Sequence, residues 1–401
     1  MKPFGALLPF EEAKRIIEAN IEPITRVEIV RLDDCLGRIL AEDVFATLNT
    51  PSFDRAAVDG YAVKAGDTFD SSRSNPKVLN LVGELHAGGT PQKRVKTGEC
   101  IQIATGAAMP KDADAVVRVE DTEEENKKVK VFKAVSPKVN VAQRGEDIKE
   151  GELILRQGFV LDPGKIGVLA SQGISKVRVY EKPNVAILPT GQEVSEVGKR
   201  LKRGQVYDIN SHTLSSVVRM SGCIPTKFGI VGDDAEKMKS AIREALKSDL
   251  VVISGGSSVG ERDLLTDVLQ GWGEVLFHGV QIRPGMPILF GKINGKSIFG
   301  MPGFPTSCLV TAHLFVAPAI RKMAHLPPKR QEVIRARLSQ EAVSSLGRRQ
   351  FFTVRLEGET AIPVYKESGD ITSMSHADGY IEIPENTDLL KKGEPVLVTL
   401  F

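Results

Sequence analysis

The sequence has few cysteines, few aromatic residues and no long apolar run. Its four cysteines, Cys35, Cys100, Cys223 and Cys308, lie far apart, with no C-x-x-C motif and no pair of histidines nearby. Structural zinc and a disulfide framework are therefore not expected. No segment approaches the ~18 uninterrupted apolar residues that a transmembrane helix needs. Pro9 interrupts the apolar N-terminal run, which does not resemble a signal peptide. These absences predict a cytoplasmic protein.

The sequence also lacks an excess of charge of one sign. The 401 residues contain 53 Lys and Arg against 51 Asp and Glu, for a formal net charge of +2. Such a balanced chain has no global field to attract nucleic acid or a membrane, although a local basic cluster could still bind an anion. A hydrophobic content of 41% excludes a disordered or collagen-like chain. At roughly 100–200 residues per domain, the length predicts two to four domains.

The residue pattern changes several times along the chain, which indicates several domains. Short strands separated by turns fill residues 49–140 and indicate a β-rich module inserted into another domain. That outer domain, a small α+β linking domain, comprises residues 1–48 and 141–180 and includes a predicted amphipathic helix at Phe10–Asn20. Residues 181–328 form a predicted α/β domain, and the strand-like residues 329–401 form a predicted β-barrel-like C-terminal domain.

Strands and helices alternate in residues 181–328, which predicts βαβ units and a parallel sheet in a three-layer α/β domain. The predicted central strands are the apolar runs Val185–Leu188, Leu250–Ile253 and Ser297–Phe299. Asn210 is expected to cap a helix that runs to about Met220. Pro305–His325 is expected to form one helix with a kink at Pro318.

Three polar loops with glycines follow these strands: Pro189–Glu193, Ser254–Asp263 and Gly300–Ser307. Because ligands bind at the carboxyl ends of the strands in an open α/β sheet, we expect the loops to form one binding site. The second loop has neither the Lys-Ser/Thr of a P-loop nor the spacing of a Rossmann fingerprint. The backbone N–H groups of its small residues could still surround phosphate oxygens. A plain glycine turn is the alternative for this loop taken alone.

Carboxylates in these loops indicate a cation. Glu193 and Asp263 would lie beside bound phosphate and repel it unless Mg²⁺ intervened, since Mg²⁺ binds one or two carboxylates together with phosphate and water. Asp233 is a weaker candidate ligand, because an acidic residue ahead of the helix at Ala235 also suits helix capping.

The densest polar motif outside the α/β region is Asp54–Ala62, in which Asp54 and Asp59 flank Arg55. Ala104–Pro110 and Arg144–Ile148 are two further polar turns at the edge of the β-rich module. A solvated charged turn is the alternative interpretation of Asp54–Ala62. The six histidines show no metal-ligand spacing, and no G-x-S-x-G motif supports a serine hydrolase.

Seven motifs together resemble one family, the molybdopterin molybdenumtransferases of the MoeA type, which include the C-terminal domain of gephyrin. In chain order they are Asp54–Ala62, Ala104–Pro110, Arg144–Ile148, Pro189–Glu193, Val206–Ser211, Gly255–Asp263 and Met301–Ser307. Each motif is weak by itself, but seven in the family's order are very specific. The resemblance implies insertion of molybdate into adenylylated molybdopterin, with Mg²⁺-dependent hydrolysis of the adenylate and release of AMP.

The resemblance also implies an elongated homodimer of four-domain subunits, with the active site between the α/β domain of one subunit and the β-rich module of the other. The implied catalytic residues are Asp59, Thr105 and Asp147 from one chain and Glu193 and Asp263 from the other, with Glu193, Asp233 and Asp263 as metal ligands. The implied cofactor-binding residues are Thr190, Gly191, Asp208, Asn210, Ser254, Gly255, Gly256, Ser258, Gly260, Arg283, Pro302, Gly303, Pro305, Thr306 and Ser307. The molybdopterin adenylyltransferase is a candidate partner, whereas nucleic acid and membrane are not expected.

The chain departs from the family's pattern near the expected oxyanion end. Many relatives carry two lysines in the segment that aligns with Gln281–Pro287, where this chain has Arg283 and Met286. Arg283 keeps the charge and adds a fork suited to an oxyanion, whereas Met286 cannot contact an anion favourably. Phe304 stands where an Asn is usual. Both molybdate and tungstate are therefore candidate substrates.

Two alternatives from other classes stay open. A non-catalytic molybdopterin-binding or scaffold protein could have kept this fold and lost the chemistry. The carboxylates Asp59, Glu193 and Asp263 favour an enzyme, because a protein that only binds anions gains nothing from them. A molybdopterin adenylyltransferase would share a similar α/β domain, but its chain is much shorter.

Overall fold

The computed structural model describes residues 6–232, 234–255, 264–366 and 369–401. The chain divides into two compact units: residues 29–179 form one, and residues up to 28 together with 180–401 form the other. The paired strands Val27–Arg31 and Lys176–Tyr180 contain both points at which the chain passes between the units. Within the described ranges, no helix is long and apolar enough to span a membrane.

A six-stranded sheet is the main element of the unit 29–179. Across the sheet, its strands are Ala115–Arg118, Gly60–Val63, Glu99–Ile103, Lys77–Leu85, Lys128–Val131 and Thr122–Glu125. Neighbouring strands are antiparallel except for Glu99–Ile103 and Lys77–Leu85. Tyr61 packs in one apolar cluster and Ala62 in another, so both faces of the sheet are covered. The short strands predicted between residues 49 and 140 are confirmed.

Smaller elements complete this unit. The remaining strand pairs are Val44–Phe45 with Leu153–Leu155 and Arg55–Ala56 with Val141–Ala142. The helix Pro163–Ser171 begins after Asp162, whose carboxylate accepts the Lys165 N–H at 3.0 Å. Its buried residue Leu169 packs with Leu40, Leu161 and Val179 in a separate apolar cluster.

The second unit contains a six-stranded mixed sheet. Its strands, in order, are Ile224–Lys227, Asn184–Pro189, Leu250–Ser254, Lys296–Met301, Leu289–Ile293 and Glu274–His278. The first four are parallel, as predicted, and the last two are antiparallel to their neighbours. Asn294 and Gly295 have φ angles of 49° and 77°. They form the tight turn that makes Leu289–Ile293 and Lys296–Met301 a hairpin, which is why the sheet is mixed.

Helices cover both faces of the mixed sheet and give the three layers that the sequence predicts. Phe10–Asn20, Asn210–Met220 and the helical run Pro305–Met323 pack on the face that presents Val185 and Ile187. Ala235–Ala245 and Leu264–Trp272 pack on the face that presents Ala186 and Leu188. The central strands are therefore apolar on both faces, as expected of parallel strands between helices.

Two helices differ in detail from the predictions. Asn210 is the first helical residue, and the helix is capped by Asp208, whose carboxylate accepts the Ser211 N–H at 2.9 Å. The prediction that Asn210 is the cap is therefore wrong. The predicted helix Pro305–His325 contains a π-helical turn at Ala312–Val316, just before Pro318, and ends at Met323. Proline lacks an N–H and crowds the preceding turn, which explains the wider turn at this point.

The C-terminal residues form a closed five-stranded barrel, as predicted. Around the barrel, the strands are Arg349–Glu357, Thr360–Pro363, Val333–Leu338, Pro395–Leu400 and Gly379–Ile383, which returns to Arg349–Glu357. Leu338, Val354, Ile383 and Val398 are buried in its core. The short strand Ile282–Arg283 extends this sheet beside Arg349–Glu357.

The last short elements of the second unit are the strand pairs Val194–Ser195 with Val206–Tyr207 and Ala342–Val343 with Leu389–Leu390, and the helix Thr372–Ser375. The finer division of the chain into four domains stays a prediction.

Candidate active site

The three predicted loops meet at the carboxyl edge of the mixed sheet. Pro189 pairs with Ser254, and Ser254 pairs with Met301, in parallel register. The loops therefore start side by side, at Thr190, Gly255 and Pro302. A Cβ atom at Gly303 would lie only 3.8 Å from the Gly255 Cα, which shows how closely the second and third loops approach.

Hydrogen bonds between the loops hold this arrangement. The Thr190 N–H and hydroxyl both donate to the Ser254 carbonyl, at 2.9 and 3.1 Å. The Gly255 N–H donates to the Met301 carbonyl at 3.2 Å, and the Gly191 N–H donates to the Val231 carbonyl at 3.1 Å. In this structure these N–H groups donate to neighbouring backbone carbonyls, and the role of Gly255 in binding stays a prediction.

Gly255 and Gly191 are each required by their surroundings. Gly255 has φ +89°, and a Cβ there would lie 2.7 Å from the Thr190 carbonyl oxygen. Gly191 has φ +131°, and a Cβ there would lie 2.8 Å from both carboxylate oxygens of Glu193. The absence of a side chain at Gly191 thus lets the Glu193 carboxylate fold back against the first loop.

Glu193 is an exposed candidate metal ligand in this loop. No three His, Cys, Asp or Glu side chains form a metal-binding group within residues 6–232, 234–255, 264–366 and 369–401. The other predicted ligands, Asp233 and Asp263, lie outside the described residues. One exposed carboxylate fits the way Mg²⁺ is usually held, by one or two carboxylates together with phosphate and water. Gly256, Ser258 and Gly260 of the second loop also lie outside the described residues.

Asp208 and Asn210 connect the start of the Asn210–Met220 helix to this edge. Both carboxylate oxygens of the buried Asp208 are occupied, one by the Ser211 N–H at 2.9 Å and the other by a short hydrogen bond from the Ser211 hydroxyl. The Asn210 amide nitrogen donates to the Gly303 carbonyl at 2.9 Å. Asp208 therefore acts as a local support in this structure, and Asn210 lies against the third loop.

The third loop leads directly into the helical run. Pro305 opens it, and Thr306 and Ser307 follow in the first turn, both buried. The Thr306 hydroxyl donates to the Asp370 carbonyl at 2.9 Å. The N–H groups of a helix's first turn have no acceptor within the helix, so those of Thr306 and Ser307 suit an anion. Phe304, just ahead, is 66% exposed.

Arg283 lies on the short strand at the edge of the C-terminal barrel. One of its terminal nitrogens, Nη1, donates to the Ser345 hydroxyl at 2.6 Å, and the side chain is exposed. This contact leaves further donors of the guanidinium for a ligand. Ser345 was not predicted, because only the pairing of Ile282–Arg283 with the barrel brings it near Arg283.

Asp59 and Thr105, far apart in the sequence, are in direct contact in the unit 29–179. The Thr105 N–H and hydroxyl both donate to Oδ1 of Asp59, at 2.7 and 2.9 Å. Both hydrogen bonds stabilise the ionised form, and the one from the N–H has the larger effect. They lower the pKa of the exposed Asp59 carboxyl below its ordinary value. Asp59 is therefore ionised at neutral pH, and it is held in one orientation.

The three polar motifs of this unit form one cluster; they are Asp54–Ala62, Ala104–Pro110 and Arg144–Ile148. The Ala56 N–H donates to the Ala107 carbonyl at 2.9 Å, and the Met109 N–H donates to the Asp54 carbonyl at 2.9 Å. The Asp54 carboxylate accepts the Arg144 N–H at 2.7 Å. Motifs that the sequence separates by up to 90 residues are thus joined.

Asp147 lies beside this cluster and is exposed. Its N–H donates to the Thr50 carbonyl at 3.1 Å, and its side chain lines a shallow open depression formed by residues 145–152. Asp59, Thr105 and Asp147 belong to the unit 29–179, whereas the three loops belong to the other unit.

Family models match most of the chain. They are described as "MoeA N-terminal region (domain I and II)" over residues 8–173, "Probable molybdopterin binding domain" over residues 186–322, and "MoeA C-terminal region (domain IV)" over residues 335–401. The second model contains the three loops, and the first contains the cluster around Asp59.

Relatives resemble the chain over its whole length. A Methanocaldococcus jannaschii protein, whose name assigns it to molybdopterin biosynthesis, is 37% identical and covers 100% of both chains. A Staphylococcus epidermidis molybdopterin molybdenumtransferase is 32% identical over 97% of this chain and 94% of its own. The crystal structure of a Pyrococcus horikoshii MoeA protein of molybdopterin biosynthesis is 41% identical, with a TM-score of 0.86 over 98% of this chain and 99% of that one. The chain therefore belongs to the MoeA family of molybdopterin molybdenumtransferases.

Proposed function

We propose that the protein is a molybdopterin molybdenumtransferase of molybdenum cofactor biosynthesis, which inserts molybdate or tungstate into adenylylated molybdopterin. The adenylate is hydrolysed in a Mg²⁺-dependent step, and AMP is released. The observation that carries this proposal is the meeting of the three loops at one sheet edge, inside the segment that matches a molybdopterin-binding domain.

Glu193, together with Asp263 and Asp233, would hold the Mg²⁺ ion. When bound, the ion neutralises charge on the phosphoanhydride and orients it for attack by water. The exposed carboxylate of Glu193, beside the side-chain-free Gly191, supports this assignment. The first-turn N–H groups of Thr306 and Ser307 and the exposed guanidinium of Arg283 would bind the anionic groups of the substrates.

Asp59 is better suited to orienting water or a metal ion than to general-base catalysis. A general base works best when its pKa lies near the working pH. The hydrogen bonds from Thr105 instead lower the pKa of Asp59 below the ordinary carboxyl value. They also fix the direction of the carboxylate, which is what a positioning group requires.

We also propose that the protein works as a homodimer whose active site combines residues of both subunits. The carboxylates Asp59 and Asp147 lie in one unit of the chain and Glu193 in the other, so a site that uses all three must combine two separate units. An enzyme that makes adenylylated molybdopterin, the molybdopterin adenylyltransferase, is a candidate partner.

Mixed dimers test the composite site. Asp59→Asn and Glu193→Gln subunits, each inactive alone, are unfolded and refolded together. If the site combines two chains, each mixed dimer regains one intact site, and about a quarter of the normal activity returns in a statistical mixture. No recovery, with mixed dimers verified by mass, would contradict the composite site.

AMP release from adenylylated molybdopterin tests the activity itself, with Mg²⁺ and either molybdate or tungstate present. In Asp59→Asn, one amide oxygen can still accept both hydrogen bonds from Thr105, because both end on Oδ1. We therefore expect turnover to fall on the order of 10²-fold or more, while substrate affinity stays within a few-fold. Tight binding without AMP release in the unmodified protein would instead favour the non-catalytic scaffold.

A further inference from the structure

A strongly basic loop lies next to the candidate site and has no role in the function proposed above. We define the basic loop as residues 196–205, between the paired strands Val194–Ser195 and Val206–Tyr207. It contains the sequence K-R-L-K-R at residues 199–203, and all four basic side chains are exposed. The whole chain has a net charge of only +2, so positive charge is concentrated here.

Most of this charge is not neutralised. Lys199 forms an ion pair with Glu196 at 2.9 Å. Arg200, Lys202 and Arg203 form no side-chain hydrogen bond or ion pair with any residue in the part of the chain that the structure describes. The four cations and one carboxylate leave three uncompensated positive charges on the loop.

The backbone of the basic loop is nevertheless held in place. The Tyr207 hydroxyl donates to the Lys199 carbonyl at 2.9 Å, and the Lys202 N–H donates to the Gln205 side-chain oxygen at 3.0 Å. Neither contact uses a basic side chain. The fold therefore fixes where these charges lie and leaves their ends directed to solvent.

Hydrogen bonds attach both ends of the loop to site residues. The Val206 N–H donates to the Glu193 carbonyl at 2.9 Å, and the Asp208 N–H donates to the Ser195 carbonyl at 2.9 Å. Arg203 is three residues from Val206, a distance of at most ~11 Å along the chain. This upper limit on the backbone separation is comparable with the Debye length, ~10 Å at 0.1 M salt, and the Val206 N–H bonds directly to Glu193.

Positive charge beside the site would favour the approach of the proposed substrate. The proposed substrate carries several negative charges on its phosphates, and the site displays the exposed carboxylate of Glu193. Like charges repel, so an anion approaching this carboxylate would be slowed before any metal or N–H group could bind it. Cations at the edge of an acidic site reverse the local potential and raise the rate of encounter, by tenfold or more in favourable cases.

We propose that the basic loop steers the phosphate-bearing substrate toward the three loops, through Arg200, Lys202 and Arg203. This inference rests on the proposed function, because it needs a polyanionic substrate at this edge of the sheet. Steering acts on encounter and not on the chemical step. It therefore changes kcat/KM and the association rate, and leaves kcat unchanged.

The test compares the triple variant Arg200→Gln/Lys202→Gln/Arg203→Gln with the unmodified protein at several salt concentrations. At about 20 mM salt we expect kcat/KM and the association rate of adenylylated molybdopterin to fall on the order of tenfold, and at about 0.5 M salt by less than twofold. A matched control is Arg335→Gln/Lys391→Gln/Lys392→Gln, which removes three exposed cations from the C-terminal barrel region. It should leave both quantities unchanged.

A second variant should change kcat/KM at low salt in the opposite direction. Glu196→Gln removes the single carboxylate of the loop and frees Lys199, so kcat/KM at low salt should rise. Equal behaviour of the triple variant and the control at low salt would overturn the proposal. So would a fall in kcat that persists at high salt, or a loss seen only when another protein delivers the substrate. If the unmodified protein binds the substrate but releases no AMP, the proposed function fails, while the association rates still test steering.

Discussion

Adding one methyl group at Gly255 tests whether the close approach of the first and second loops contributes to stability and to substrate binding. Gly255→Ala places a Cβ atom 2.7 Å from the Thr190 carbonyl oxygen and 2.9 Å from the Thr190 hydroxyl. The carbonyl belongs to the backbone and cannot rotate away. The start of the second loop must therefore move away from the first, which strains the hydrogen bonds from Thr190 to the Ser254 carbonyl.

The expected cost has two parts. A side chain at φ +89° is strained by itself, by roughly 1–3 kcal/mol. The close approach to Thr190 adds overpacking of about 1–3 kcal/mol. We therefore expect Gly255→Ala to lower the free energy of unfolding of this unit by about 2–6 kcal/mol. Because the displaced second loop belongs to the proposed site, substrate affinity should also fall, about tenfold for each 1.4 kcal/mol of binding free energy that is lost.

Gly295→Ala is the matched control. Gly295 also has positive φ, +77°, but a Cβ atom there would have no neighbour within 4 Å. It lies in the same sheet, in the turn after Leu289–Ile293. It should therefore show the backbone cost alone, about 1–2 kcal/mol, and leave substrate affinity unchanged.

The assay uses the single tryptophan. Trp272 lies at the end of the Leu264–Trp272 helix, so its fluorescence during urea denaturation reports on this unit and not on residues 29–179. Substrate affinity is measured by calorimetry at a denaturant-free condition where both variants are folded. If Gly255→Ala and Gly295→Ala lose the same stability and the same affinity, the close approach of the first two loops has no energetic consequence, and the reasoning is refuted.

Two further predictions concern the same unit. Asp249→Asn should lower the free energy of unfolding by about 2–3 kcal/mol, because the 9% exposed carboxylate accepts two hydrogen bonds from the Arg26 guanidinium, at 3.0 and 2.9 Å. Glu181→Gln, which removes the more exposed partner of the same guanidinium, should cost under about 1 kcal/mol in urea denaturation followed by Trp272 fluorescence. Burial, assisted by the nearby positive charge of Lys329, lowers the pKa of His313 from 6.5 to about 4. The unfolded chain then binds more protons in this range, so stability should decrease as pH falls from 6.5 to 4. His313→Phe should flatten that dependence, and an unchanged pH profile would contradict the assignment.

Much of the local structure could be predicted from residue pattern. The helix Phe10–Asn20 has the predicted boundaries, because its apolar residues recur at helical spacing. The strand around Val185–Leu188 was predictable because a run of apolar residues suits a strand buried on both faces. The positions of the three polar loops followed from where these strands end.

Other features depended on partners that the pattern does not encode. Asp208, and not Asn210, caps its helix, and the difference depends on how the chain enters the helix. The Gly255 N–H donates to the Met301 carbonyl of the neighbouring strand, a partner that the residue pattern does not indicate. The residues Asp233, Gly256, Ser258, Gly260 and Asp263 lie outside the described part of the structure, so their roles stay predictions.

The sequence by itself determined the periodicity of the strands and helices, the residue types at the candidate site and, through seven motifs in order, the family. Those properties are local, since they depend on neighbouring side chains and on backbone preferences. Only the tertiary structure decided that Thr105 holds the carboxylate of Asp59, that the C-terminal strands close into a barrel, and that the basic loop is attached to Glu193. Each of these depends on strand register and on hydrogen bonds between distant residues, which are set when the chain folds as a whole.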